Sequence, residues 1–198
     1  ARLSSTDLMM IYLQKYKRLI AVVLFLAVIF AVFQMSGLRG HFDLEFIKHK
    51  ILENQLTGLL IFVLLFSLGN LMQIPGIVFL AAAVLALGQL YGGIATYIAA
   101  IVSCVVIFFI IRAIGGNALR ELDNKFAVKI LAQLNAKPII SIILLRTLFQ
   151  TAPTLNYALA MSGVKFRDYL IGTILGLPIP IFLLCWFFEF VVKMLHIH

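Results

Sequence analysis

Apolar runs separated by short polar connections make up most of the chain, and two of those runs break where an uninterrupted helix would otherwise continue. Leu19 to Gln34 is apolar except at its end and predicts a first span. Leu56 to Leu68 is short for a crossing, because a helix through the hydrocarbon core takes roughly 20 apolar residues. It is followed by the polar and helix-breaking cluster Gly69-Asn70-Leu71-Met72-Gln73-Ile74-Pro75-Gly76, then by a second short apolar stretch, Ile77 to Leu87. Two half-length helices around a break predict a hairpin that returns to the side it entered from. Gly88, Gly92 and Gly93 close it, most simply as positions of close helix packing, and Ile94 to Ile111 is a full span ending at Arg112.

The pattern then repeats. Pro138 to Phe149 is again short, Gln150-Thr151-Ala152-Pro153-Thr154 is the break, and Leu155 to Gly163 returns to the basic turn Val164-Lys165-Phe166-Arg167-Asp168. Tyr169 to Val192 crosses outward, bent by Pro178 and Pro180. The predicted fold is all-α: a polytopic integral membrane protein with two opposed re-entrant helical hairpins, arranged like an inverted repeat, and about three full transmembrane spans. Residues 1–55 hold the first span and a mixed apolar and charged stretch, Ser36 to Asn54, suited to a helix lying at the interface. Residues 56–189 form the hairpin unit and 190–198 a C-terminal tail.

Composition agrees with this class. Of 198 residues, 63% are hydrophobic and 12% charged, and the mean hydropathy is +1.10, well above soluble domains. The formal charge of +8 does not point to nucleic acid, because the basic residues gather at the ends of apolar runs. Arg2, Lys15, Lys17 and Arg18 precede the first span, and Arg112, Arg120, Lys125, Lys129 and Lys137 follow the second. Both groups are expected on the cytoplasmic side, which puts the N-terminus there. Cys104 and Cys185 sit inside apolar runs and read as small buried hydrophobes.

Little in the chain suggests catalysis. His41, His49, His196 and His198 have no acids or cysteines at ligand spacing, and no phosphate-cradling loop, nucleophile arrangement or carboxylate pair is present in the sequence. No enzyme, cofactor or metal site is expected. The informative residue is Arg146, because an ionisable group within an apolar run is expensive and tends to face a hydrated path. It offers a phosphate a permanent charge in a fork geometry, while Asn70, Gln73, Gln150, Thr151, Thr154 and Asn156 add neutral donors and acceptors at the breaks. The alternative is a structural arginine that reaches the interface or pairs with Asp168. Glu189, deep in the last span, is either a coupling group like Asp168 or an interfacial acid.

The order and spacing of Pro75-Gly76, Gly88, Gly92, Phe108, Arg112, Leu145-Arg146, Pro153, Asn156-Tyr157-Ala158, Phe166-Arg167-Asp168-Tyr169, Gly172-Thr173 and Gly176 resemble the SNARE-associated Golgi protein domain of the DedA superfamily, also called the VTT domain. Within it the bacterial Tvp-type branch is the most similar, and the resemblance runs from about Leu56 to Phe187. It implies two opposed re-entrant helices and a role in moving phospholipids or polyprenyl-phosphate carriers between leaflets, in a bacterial inner membrane. Three departures stand out. The first break carries Asn70 and Gln73 with no acid between Glu53 and Glu121, which argues against the proton coupling associated with acids in the DedA branch. Val84 and Ser103 replace common glycines, and Phe149 stands where a proline is expected.

The expected function is therefore a lipid transporter or scramblase whose partners are membrane lipids with anionic head groups, with self-association into a homo-oligomer left open. An ion or solute transporter and a non-transporting membrane scaffold are the alternatives.

Overall fold

The computed structural model describes residues 5–35, 49, 55–121 and 125–194. All regular structure among them is helical. Apart from His49, the expected interfacial helix over 36–54 lies outside the described residues, as do the last four residues of the expected tail. Among the described residues eight α-helices follow one another: α1 (Ser5–Met35), α2 (Gln55–Leu71), α3 (Gly76–Gly115), α4 (Lys125–Ala136), α5 (Pro138–Phe149), α6 (Pro153–Met161), α7 (Phe166–Gly176) and α8 (Pro178–Met194), with a short 3-10 turn at Ala118–Glu121.

The 40 residues of α3 are two helices, not one. A straight helix of that length would run about 60 Å, twice the hydrocarbon thickness. At Gly88 the backbone takes φ 79° and ψ 175°, a conformation open to glycine. The second arm then folds back along the first: a Cβ placed on Gly92 would lie 2.6 Å from the carbonyl oxygen of Ala83. Residues 76–87 thus form the returning limb of a hairpin with α2, and residues 89–115 form a membrane span. The second hairpin is α5 with α6, and α7 with α8 supply the other span, Phe166–Val191. Pro178 interrupts that span in its middle, as its missing N–H and ring require.

The side chains sort by face in the way a lipid environment demands. On α2, Leu56, Leu60, Leu64 and Leu68 recur every fourth residue and are exposed, while Phe62 and Phe66 are buried behind them. On the second arm of α3, Leu90, Ile94, Ile98, Val102 and Val106 form the same outward stripe, and Ala95, Ala99 and Ser103 face inward. Size and polarity, rather than hydrophobicity, distinguish inside from outside, because lipid tails are as apolar as leucine.

One element differs from expectation. The stretch from Arg112 to Lys137, read as a polar connection, contains the amphipathic helix α4, with Leu131 and Leu134 buried and Lys125 and Lys129 exposed. It meets α5 at a bend of 119° around Lys137. Apolar residues at i and i+3 among lysines are short enough to pass for a loop, and burial under α5 resolves them. At the far end, α8 continues through Phe190 to Met194.

Candidate functional site

Both hairpins turn in the same way. Each tip carries a glutamine in the left-handed region, Gln73 at φ 66° and Gln150 at φ 51°, and each returning limb opens with a proline. Pro75 stands just before α3 in extended conformation, and Pro153 is the first residue of α6. Proline at a helix start gives up no intrahelical bond, so both breaks begin a new helix cleanly.

A tip at membrane depth has backbone groups that water does not reach, so they must be satisfied within the protein. At the first tip the N–H groups of Met72 and Ile74 donate back to Leu68 and Gly69 at 2.9 and 2.7 Å. The carbonyls of Asn70 and Leu71 accept from the Tyr157 hydroxyl of the other hairpin, at 3.2 and 3.0 Å. At the second tip the carbonyl of Gln150 accepts from Arg146 Nη1 at 3.0 Å, and that of Thr151 accepts from Asn156 Nδ2 at 3.4 Å. Gly76 makes the meeting of the tips close, since a Cβ there would sit 2.5 Å from Thr151 Oγ1.

The tips meet against the middle of the α3 span. Asn70 Nδ2 donates to Ser103 Oγ at 3.1 Å, the Cys104 thiol donates to Asn156 Oδ1 at 3.4 Å, and Asn156 Nδ2 reaches Asn70 Oδ1 at 3.5 Å. Ser103 and Cys104 lie near the centre of residues 89–115. The base of the first hairpin lies at one end of that arm, beside Gly92. The base of the second lies at the other, where Arg112 donates to the carbonyls of Ala160 and Val164. The hairpins therefore enter from opposite ends of the α3 span and touch halfway.

Arg146, on the last turn of α5, is 0% exposed. Its Nε donates to Thr173 Oγ1 at 3.3 Å and its Nη2 to the Tyr169 hydroxyl at 2.9 Å, with the guanidinium carbon 5.3 Å from the Tyr169 ring centroid. Tyr169 in turn donates to the Cys104 carbonyl at 3.0 Å, joining the arginine to the tip cluster. Room for this large side chain comes from glycines of α7: a Cβ on Gly176 would lie 2.7 Å from that of Arg146, and one on Gly172 equally close to Ile142. All three hydrogen-bond partners of the guanidinium are neutral. The helix C-terminus on which it stands adds a favourable dipole, and its Gln150 carbonyl is one of those partners.

Several expectations are corrected by this arrangement. Arg146 bonds to Thr173, Gln150 and Tyr169 and not to Asp168, which sits half-buried in the first turn of α7, where a helix N-terminus suits a carboxylate. Gln73 is exposed, held outward by its left-handed backbone, and Thr154 is exposed as well, so neither joins Asn70, Thr151 and Asn156. Glu189 is half-buried on α8, outside the tip cluster. Gly88 is a turn glycine with open space around it, whereas Gly92 is the close-packing position expected. Tyr157, Tyr169, Thr173, Ser103 and Cys104 escaped the reading of the residues as site groups. The i, i+4 pair Tyr169 and Thr173, interleaved with Gly172 and Gly176, was the available signal that this face of α7 receives a polar guest.

Compared with known proteins, the chain matches the family model described as the VTT domain over residues 74–190. The match begins in the first break rather than at Leu56. Among curated proteins and solved structures no match is found.

Proposed function

The chain belongs to the VTT domain family of the DedA superfamily, a membrane-protein family connected with transport, and on that premise we propose that it moves anionic lipids between leaflets along the meeting point of its two hairpin tips. One observation carries the reading: the fully buried guanidinium of Arg146 stands beside the second tip, is joined to the tip cluster through Tyr169, and is held by a hydroxyl, a phenol and a carbonyl, with no carboxylate among its hydrogen-bond partners. A buried cation balanced only by dipoles is electrostatically short of an anion. Three of its five N–H groups are used by these bonds, leaving two for a phosphate oxygen. The neutral groups of the tip cluster, Asn70, Asn156 and Thr151, solvate a passing head group without trapping it by charge.

Passive exchange is favoured over proton-driven flipping, because the first tip offers Asn70 where a carboxylate would be needed. The same reading places the protein in a bacterial inner membrane. The ends marked by Arg112, Arg120 and Lys137, together with the N-terminus, then face the cytoplasm.

The test is transfer of fluorescent lipids in proteoliposomes, with several head groups, with and without a pH gradient. Wild type is expected to exchange anionic lipids without needing the gradient. Arg146→Lys, which keeps the charge but loses the fork, is expected to slow exchange while remaining folded. A well-folded wild type inert towards every lipid overturns the proposal.

A further inference from the structure

Among the described residues one buried side-chain polar atom has no hydrogen-bond partner, Thr96 Oγ1, in a residue that is 2% exposed. A helical threonine ordinarily settles its hydroxyl on the carbonyl one turn back, here Gly92, and this one does not. Its position gives the irregularity meaning. By helical spacing Thr96 shares a face of the α3 span with Gly92, Ala99, Ala100 and Ser103. That face lies on the first hairpin at both ends: Gly92 abuts the backbone of Ala83 and Val84, and Ser103 accepts from Asn70 at the tip. Ala99 and Ala100 between them are fully buried. Thr96 thus stands about two turns from Ser103, on the line leading from the tip cluster towards Gly88 and the base of the first hairpin.

We infer that Thr96 is the next polar contact of the head-group route beyond the tip cluster, on the seam between the first hairpin and the α3 span. The inference rests on the lipid-transfer reading and adds to it a residue and a direction. On the span's side the seam is lined by small residues, Gly92, Ala99 and Ala100, which interlock little with the hairpin, and the bend at Gly88, with nothing within 4 Å of a Cβ there, is the free joint about which it parts. A hydroxyl kept without a partner in the closed seam gains one when a phosphate or its water enters.

The decisive variant is Thr96→Val, which keeps the shape and removes the hydroxyl. As a structural residue, an unsatisfied buried hydroxyl is a liability, so valine raises the melting temperature. As a route contact, valine also slows lipid transfer, by roughly five-fold, the factor that loss of one ordinary hydrogen bond produces. Thr96→Ser should restore the rate. A more thermostable but slower Thr96→Val, rescued in Thr96→Ser, supports the proposal; wild-type rates in Thr96→Val overturn it, as does slowing that follows lost stability. Thr96→Cys, treated with a membrane-impermeant thiol reagent, gives a readout independent of transfer. Labelling beyond that of the parent protein, whose own Cys104 and Cys185 are buried, is expected, and none overturns a hydrated seam. Should wild type transfer no lipid, the general reading falls while this labelling still decides whether the seam opens to water.

Discussion

Inside the first hairpin, Phe62, Phe66 and Phe79 fill the space between the limbs, with ring centroids 5.1 to 6.4 Å apart. The equivalent space between the second hairpin and its neighbours holds Arg146, Asn156, Tyr157 and Tyr169. Two units with the same outline, a broken hairpin followed by a span, are thus joined by different forces. The first is held by ring packing and backbone approach, the second by hydrogen bonds that reach across to the first tip. Lipid tails supply no hydrophobic drive between helices, so each unit needs one of these two sources of cohesion. The division leaves most of the hydrogen-bonding groups of the site on the second hairpin, with Asn70 as the first hairpin's contribution at its tip.

The largest effect that tests this division is expected at Phe79. The ring is fully buried, lies against Phe62 and Phe66, and closes on Gly69, where an added Cβ would be 2.3 Å from Phe79 Cζ. Phe79→Ala should cost about 3 kcal/mol or more through the cavity it leaves. Unfolding followed by denaturant or heat in detergent would measure it, and lipid transfer below the unfolding transition should stay near wild type. Transfer lost at temperatures where this variant is still folded would mean that ring packing in the first hairpin, and not only the polar groups beside it, sustains transfer.

Gly92→Ala comes next. The added methyl would overlap backbone, not a flexible side chain, so the returning limb and the span must separate, at about 2 kcal/mol. Tyr169→Phe probes the other half at about the same cost. It removes the acceptor of one Arg146 N–H and the donor to the Cys104 carbonyl while preserving the ring, whose contact with Phe108 at 4.5 Å survives. The two variants can be compared at equal stability. The comparison between the hairpins holds if Tyr169→Phe slows lipid transfer more than Gly92→Ala does, and breaks if the order reverses.

Much of this architecture could be read from breaks in apolar runs. Pro75 and Pro153 announce themselves because proline inside an apolar stretch has few structural uses, and Arg146 because a charge there has fewer still. Two opposed hairpins with polar breaks are enough to bring Asn70 of one tip towards Asn156 of the other. Tyr157 and Tyr169 were harder, since an aromatic residue in a membrane segment looks the same whether its hydroxyl or its ring matters. Gln73 and Gln150 have the same side chain at the same kind of turn, yet the carbonyl of Gln150 enters the site and Gln73 points away. Backbone direction at a tip decides that, and residue type does not encode it. Helix α4 stayed hidden because Lys125 and Lys129 mark a basic connection and draw weight away from the helical spacing of Ile130, Leu131 and Leu134 beside them.

The smallest effect concerns the joint at the base of the first hairpin, where Gly88 and Gly92 separate two reasons for glycine. At Gly92 space is lacking, and at Gly88 space is free but the backbone has a positive φ. Gly88→Ala should therefore cost only the conformational penalty of that backbone, from about 1 kcal/mol upwards, with no loss of packing. Melting measurements on Gly88→Ala, Gly92→Ala and the double variant would show it. The second substitution should remain costly on either background, with the two costs close to additive, because the sites act by unrelated means. Costs in the double variant far from additive would mean that the base of the hairpin is a packed corner. A joint that is conformationally special but sterically free is one that can bend, which distinguishes this end of the first hairpin from the second hairpin's base. There Arg112 and Arg120 tie the carbonyls of Ala160, Ser162 and Val164 to the neighbouring elements.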